Sequence, residues 1–168
     1  SPGSTCPSQP AGRWTGIEHP AGSSWSRGFD ALDRITSVTV RASPAAPART
    51  TAYTHDETGN IETVTDPLGG VTSIEHDLDG RITGRTLPNG VVSTWTYDAR
   101  GFVDTIVHRA PVSAGGAVIA SVDYTRSLSG EPDRIDREDG SYVMYDYDSS
   151  LRLTGEHYRD AGGGIVRN

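Results

Sequence analysis

Apolar and polar residues alternate along this chain in short runs, and a turn signal closes each run. In Val91-Val92-Ser93-Thr94-Trp95-Thr96-Tyr97, Val91, Trp95 and Tyr97 share one face with Ser93, while Val92, Thr94 and Thr96 take the other. In Tyr142-Val143-Met144-Tyr145-Asp146-Tyr147, Val143, Tyr145 and Tyr147 share a face. A period of two marks a strand; the aromatic face is expected to be covered and the polar face wet. No segment shows a convincing helical period. The pattern therefore predicts an all-β fold with no significant helix.

The strands repeat. Asp56, Asp77 and Asp98 lie 21 residues apart, each followed at the same spacing by Gly59, Gly80 and Gly101, then by Ile61, Ile82 and Val103. His55, His76 and Tyr97 precede each Asp, and Tyr53, Ile74 and Trp95 stand three before it. A shift of 50 places Tyr145, Tyr147, Asp148 and Leu153 under Trp95, Tyr97, Asp98 and Val103. Fifty is two periods plus eight, and the surplus fits an enlarged loop at Ala110–Gly116. Between them lies a looser unit with Val122 and Tyr124 in the aromatic columns, Tyr124 under Tyr97, followed by Gly130, Asp133, Arg134 and Ile135. Backward, Phe29, Asp30 and Ile35 match His55, Asp56 and Ile61, with a five-residue excess in Ser43–Pro47. The chain thus reads as six units, two of them degenerate, and a fixed period of this length signals a repeat architecture.

Each unit carries two turns. The Asp-x-x-Gly corners alternate with Asp66-Pro67-Leu68-Gly69-Gly70, Pro88-Asn89-Gly90 and Glu138-Asp139-Gly140. Asn-Gly and Asp-Gly between apolar runs predict tight hairpins in which both central residues, Asn89 with Gly90 and Asp139 with Gly140, tolerate positive φ. One unit is then strand, corner, strand, turn, and the chain is a meander of antiparallel hairpins of about eleven strands.

Composition narrows the function. Net charge is −7, and all 15 cations are arginine. An acidic chain repels phosphate backbones, so no nucleic-acid partner is expected. No stretch approaches the ~20 apolar residues of a membrane-spanning helix. The 20 glycines and 10 prolines read as punctuation between strands. Ser1-Pro2-Gly3-Ser4 looks like a processed or truncated end. The single cysteine, Cys6, has no internal disulfide partner and reads as a free thiol or an intermolecular bridge.

Candidate chemistry is sparse. The Asp column (Asp30, Asp56, Asp77, Asp98, Asp148) invites calcium, but equivalent residues of successive hairpins are two strands apart, about 10 Å. Calcium–oxygen distances are about 2.4 Å, so one ion cannot bridge two units and each Asp is expected to cap its own turn. His55 and His76 cannot share a zinc for the same reason, with Zn–N near 2.1 Å, and are read as packed or half-exposed ring residues of a ladder. No metal and no cofactor is expected. The Gly-x-Ser-x-Gly elbow and the Gly-Lys phosphate loop are both missing, and the chain is not read as an enzyme. Exposed tryptophan faces can stack on sugar rings, which makes Trp14 and Trp25 candidate glycan or partner contacts. No Asn-x-Ser/Thr sequon occurs. The Ser/Thr/Pro-rich N-terminal tail and Ser43–Thr51 are compositional candidates for O-linked sugar.

The motifs Trp95-Thr96-Tyr97-Asp98-Ala99-Arg100-Gly101, His76-Asp77-Leu78-Asp79-Gly80-Arg81-Ile82 and Tyr145-Asp146-Tyr147-Asp148-Ser149-Ser150-Leu151-Arg152-Leu153 resemble those of the YD-repeat, or RHS-repeat, family. Leu151 stands where that pattern has glycine. The resemblance covers roughly residues 25–160. It implies a β-sheet strip of the kind that winds into hollow shells in bacterial polymorphic toxins, Tc-type toxin components and animal teneurins. The chain is short for a whole shell, and no aspartyl self-cleavage region or toxin segment is recognisable in it.

The expected architecture is an antiparallel hairpin strip, curved or spiralling. An extended Pro/Gly/Ser-rich segment occupies residues 1–24, the repeats 25–160, and a Gly-rich tail 161–168. Each unit is expected to lean on its neighbours through core columns formed by Tyr53, Ile74, Trp95 and Tyr145, by Tyr97 and Tyr147, and by Ile61, Ile82, Val103 and Leu153. Open sheet edges invite pairing. The expected role is an extracellular or cell-surface structural scaffold that associates with itself, as a fibre, or with other parts of a larger shell. The alternatives are a carbohydrate- or cell-surface-binding module and a fragment of a toxin-encapsulating shell.

Overall fold

The computed structural model describes residues 15–20 and 22–167, without the side chain of Arg167. Cys6 and Trp14 lie outside the described residues. The fold is all-β: fourteen antiparallel strands stand in one sheet in strict chain order. They are β1 (Gly16–Glu18), β2 (Ser24–Phe29), β3 (Ile35–Arg41), β4 (Arg49–His55), β5 (Ile61–Thr65), β6 (Val71–His76), β7 (Ile82–Thr86), β8 (Val92–Tyr97), β9 (Val103–Arg109), β10 (Val118–Arg126), β11 (Pro132–Arg137), β12 (Tyr142–Tyr147), β13 (Leu153–Arg159) and β14 (Ile165–Arg167). Among the described residues the helical content is one 3-10 turn, Val112–Ala114, in the enlarged loop. Strands β1 and β14 form outside the 25–160 span expected for the repeats. The chain divides into two compact units, one ending at Ile74 and the other starting at Glu75.

One loop design serves nearly every connection. Residue i donates its N–H to the carbonyl of i+4, residue i+3 donates to the carbonyl of i, and i+3 is left-handed. This holds at 19–23, 30–34 and 56–60, at 66–70 and 77–81, and at 87–91 and 98–102. It holds again at 127–131, 137–141, 148–152 and 160–164. The Asn-Gly and Asp-Gly turns are therefore corrected. Only Gly90 (φ 81°) and Gly140 (φ 79°) have positive φ, while Asn89 and Asp139 do not. These turns are built like the Asp-x-x-Gly corners, and the side chains of Asn89 and Asp139 accept the N–H groups of Val91 and Ser141. The Leu151 corner closes in the same way with leucine at φ 59°.

A β-bulge follows almost every Asp-type corner. Tyr97 faces Val103 while Thr96 faces Thr105, leaving Asp104 out of step. The same slip leaves out Thr36, Glu62, Asp133 and Thr154. The hairpins at 66–70, 87–91 and 137–141 pair without a slip. A bulge adds one residue to one strand and bends it locally.

The sheet has scarcely any core. Among the described residues, only Val143 and Ser93 have fully buried side chains, and they occupy the same repeat position. Trp95, Tyr97, Tyr145 and Tyr147 are half-buried, and the opposite positions Thr94, Thr96, Met144 and Asp146 are exposed. The aromatic face is thus covered only in part within this chain. The aliphatic column expected in the core is exposed at Ile61, Ile82 and Leu153 and half-buried at Val103. These residues stand at the loop ends of their strands.

Candidate functional site: the corner row

The corner is built by its carboxylate. Asp30, Asp56, Asp66, Asp77, Asp98, Asp148 and Asp160 each accept the N–H groups of residues i+2 and i+4 on one oxygen, at 2.7–3.0 Å. These side chains are consumed by their own turns. Asp56 is held down to about 2, first by the Thr58 hydroxyl and then by the N–H and amide of Asn60. The N–H and guanidinium of Arg34, Arg81 and Arg152 likewise lower Asp30, Asp77 and Asp148. Among the described residues no three His, Cys, Asp or Glu side chains gather as metal ligands.

Ser127 replaces the aspartate in one corner. The carboxylate comes instead from Glu131, four residues on, which accepts from the Ser127 hydroxyl at 3.0 Å. Its acidity is raised by the Ser129 hydroxyl first and then by its own backbone N–H. This corner also corrects the register of the looser unit. Counted from Ser127, Tyr124 stands in the column of Trp95, and Arg126 takes the place of Tyr97.

Three contacts link one corner to the next. In the first, the residue just before the corner reaches back to a carbonyl of the preceding unit. Tyr97 Oη donates to Ile82 at 2.7 Å, Tyr147 Oη donates to Pro132 at 2.9 Å, and Arg126 donates to Val103 from Nε and Nη2 at 3.3 and 3.2 Å. In the second, an arginine reaches forward: Arg34 Nη1 donates to the Asp56 carbonyl at 3.3 Å, and Arg100 Nη1 donates to the Ser127 and Leu128 carbonyls at 2.9 Å. In the third, the side chain at i+4 lies over the left-handed residue of the next corner. A Cβ added to Gly101 would stand 3.2 Å from Arg81 Nη1, and one added to Gly130 would stand 2.8 Å from Phe102 Cζ. Glycine therefore serves both the left-handed turn and the room above it.

Arginine and aromatic rings run together along the sheet. The guanidinium of Arg81 lies 4.7 Å from the Tyr97 ring centre, that of Arg126 4.8 Å from Tyr124, and that of Arg85 5.5 Å from Trp95. Arg27 covers Trp25, the candidate glycan contact, at 4.8 Å. The buried Ser93 hydroxyl bonds His108 Nδ1 at 2.8 Å, across from each other in β8 and β9. Of the other column residues, Tyr53 faces Val64, Ile74 is half-buried in β6, and His55 is half-buried opposite Ile61. Arg34, Ile35, Val38, Tyr53, His55 and Ile61 line a shallow hollow of about 410 Å³.

The segment from the Asp77 corner through β9 holds the full set: two corners, the bulge and the Tyr97 contact. Residues 76–110 match the family model for the RHS repeat. Over that stretch the chain is similar to an RHS repeat. No curated protein sequence matches the chain. Among solved structures the chain is similar to the crystal structures of TcdB2-TccC3-Cdc42 and TcdB2-TccC3-TEV, each at 15% identity. The TM-scores are 0.51 and 0.52, over 89% and 92% of this chain. It spans 10% of each of those chains. The likeness is one of fold alone. Sequence reading misses the contacts between repeats because they end on main-chain carbonyls, which leave no mark on residue identity at the accepting end.

Proposed function

We propose that this RHS-repeat chain is a structural wall segment. It contributes a run of hairpins to a larger β-sheet scaffold on the outside of the cell and joins its neighbours through the sheet edges. The observation that supports this most is the corner row itself. The carboxylates and most of the arginines of that row are engaged in closing a turn or tying one unit to the next. The role this favours is mechanical continuity along the strip, which suits a shell wall or a fibre and does not call for catalysis. Negative-stain microscopy and size-exclusion chromatography of the purified chain test it. Extended or closed β-assemblies, or incorporation into a longer RHS shell, are expected. A compact monomer that forms neither would remove the scaffold reading.

A second reading, binding of surface carbohydrate, rests on the hollow beside Tyr53 and His55. Glycan-array binding that disappears with Tyr53→Ala would favour it, and a blank array would dismiss it.

A further inference from the structure

The hollow beside His55 marks a gap in an otherwise repeated contact. At three corners the residue just before the corner reaches back to the carbonyl that follows the previous loop: Tyr97 to Ile82, Arg126 to Val103 and Tyr147 to Pro132. Each of those carbonyls lies two residues ahead of the nearest ladder pair. The other member of that pair stands three residues before the reaching side chain. The pairs are Gly84 with Thr94, Thr105 with Asp123, and Arg134 with Met144. Ser37 with Ala52 repeats this spacing, which puts His55 in the reaching position and the Ile35 carbonyl in the receiving one. An imidazole is shorter than a phenol ring and carries no hydroxyl at its tip. Among the described residues, the His55 ring has no hydrogen-bond partner and no side chain donates to the Ile35 carbonyl. Arg34, Ile35, Val38, Tyr53, His55 and Ile61 line the hollow of about 410 Å³ at this place. All six belong to the unit that ends at Ile74.

The geometry points to a binding site for a small phenol, a planar ring whose hydroxyl donates to the Ile35 carbonyl as Tyr97 Oη donates to Ile82. This inference is independent of the scaffold reading, and at the hollow of the carbohydrate reading it names a different ligand. Arg34 has the place that Arg81 has before Tyr97. Each bonds its corner aspartate through Nε at 2.7 Å, and the Arg81 guanidinium lies 4.7 Å from the Tyr97 ring centre. A ring held beside Arg34 regains that cation–π contact. Ile61 stands opposite His55 as Val103 stands opposite Tyr97, so the wall that one ring packs on is present for the other. The remaining walls are mainly apolar, with one carbonyl waiting for a donor, the usual composition of a small-molecule site. A sugar ring carries hydroxyls around its rim, and Ile35, Val38 and Ile61 offer their side chains no partner for them. A carbonyl only accepts, so the ligand's oxygen must bring its own hydrogen.

The test is an NMR titration of the 168-residue chain with p-cresol, 4-methylanisole and methyl glucoside. With p-cresol, the amides of Val38, Tyr53 and His55 should shift and saturate, with a dissociation constant below about 10 mM. The Thr36 amide nitrogen, which shares a peptide bond with the Ile35 carbonyl, should move with them. The methyl ether has the same ring and no donor, and should bind at least about fivefold more weakly, the worth of one hydrogen bond. His55→Tyr fills the hollow from within. It should remove the p-cresol shifts and raise the urea midpoint. Equal binding of p-cresol and 4-methylanisole would overturn the inference, as would shifts scattered away from the hollow. Undiminished p-cresol binding to folded His55→Tyr would do the same. Tighter binding of methyl glucoside at these amides would give the hollow to carbohydrate and end the phenol assignment. None of these outcomes bears on the scaffold reading, which the assembly measurements decide.

Discussion

The hydroxyl of Tyr97 donates to the carbonyl of Ile82 at 2.7 Å, and fifty residues further on Tyr147 repeats the bond with Pro132 at 2.9 Å. Each tyrosine immediately precedes a corner, and each accepting carbonyl belongs to the residue that follows the previous corner's loop. The bond spans one unit and fastens it to the next. At Pro132 the carbonyl sits beside a bulge, where the ladder is locally disrupted and an outside donor is most useful. Arg126 makes the same link to Val103 with a guanidinium, so the contact is kept although the residue type changes.

Removing one hydroxyl tests the link. Tyr97→Phe and Tyr147→Phe should each destabilise the chain by about 1 kcal/mol, the usual net value of a neutral hydrogen bond. Tyr53→Phe, at the Trp95 column and without such a bond, should stay within about 0.5 kcal/mol. Urea unfolding followed by circular dichroism measures all three. Equal effects at Tyr53 and Tyr97 would show that the ring, not the hydroxyl, carries the contribution.

Acid should loosen the corners over a defined window. Asp56 titrates near 2 in the folded chain against an ordinary 3.8, and Asp30, Asp77 and Asp148 are lowered in the same direction. A depressed carboxyl stabilises the fold above its unfolded value, and that stabilisation is lost as pH falls through the folded one. The urea midpoint should therefore be flat from neutral pH down to about 4 and fall between about 4 and 2. Asp56→Asn should flatten that fall. A midpoint that drops already between pH 7 and 5 would show that the corner carboxylates are not the source of the sensitivity.

Two glycines with the same backbone separate strain from crowding. Gly69 (φ 87°) has nothing within 4 Å of an added Cβ, whereas at Gly90 (φ 81°) that atom would lie 3.0 Å from Pro111 Cβ. Gly69→Ala should cost about 1 kcal/mol, the left-handed penalty alone. Gly90→Ala should cost clearly more, because the proline ring and the loop that carries it must move. Thermal unfolding of the two variants decides it, and equal melting temperatures would mean that the 110–117 loop yields freely.

Much of this fold is legible in the residues, and the failures have physical causes. The period of two marks the strands, and the 21-residue recurrence marks the corners. That period is odd, whereas strict alternation across paired strands and these loops adds up to even numbers. One residue per unit must fall out of step, and the bulges at Thr36, Glu62, Asp104, Asp133 and Thr154 are that residue. The odd period is therefore itself a signal for the bulge. Reading by aspartate misplaces Tyr124 by two residues because its corner lacks that marker; Gly130 fixes the register. Asn89-Gly90 reads as a two-residue turn because the dipeptide signal does not reveal which neighbours close the loop. The scarcity of core is hidden for a different reason. Alternation shows which side chains share a face, but not whether a second layer covers it.

The Ser127 corner and Leu151 form a coupled pair of departures from the repeat. At three corners the residue at i+4 lies over the next left-handed position: Arg34 over Gly59, Arg81 over Gly101 and Phe102 over Gly130. At 131 the side chain is a glutamate folded back into its own loop to replace the missing aspartate. At the next corner Leu151 holds the left-handed position at φ 59° with its side chain half in solvent. A leucine there carries about 1–2 kcal/mol of backbone strain, so Leu151→Gly should stabilise the chain by about 1 kcal/mol once the greater freedom of unfolded glycine is subtracted. Glu131→Ala should lower the urea midpoint by depriving the loop of its carboxylate, and Ser127→Asp added to it should recover most of the loss. The three corner changes together, Ser127→Asp, Glu131→Arg and Leu151→Gly, rebuild the Asp-x-x-Gly-Arg design. Glu131→Arg made in the otherwise unchanged chain should cost more than the same change made together with Leu151→Gly, since the guanidinium otherwise meets a Cβ where a glycine normally lies. A double-mutant cycle on positions 131 and 151 measures that coupling, and additivity within about 0.3–0.5 kcal/mol would mean that the two departures arose independently.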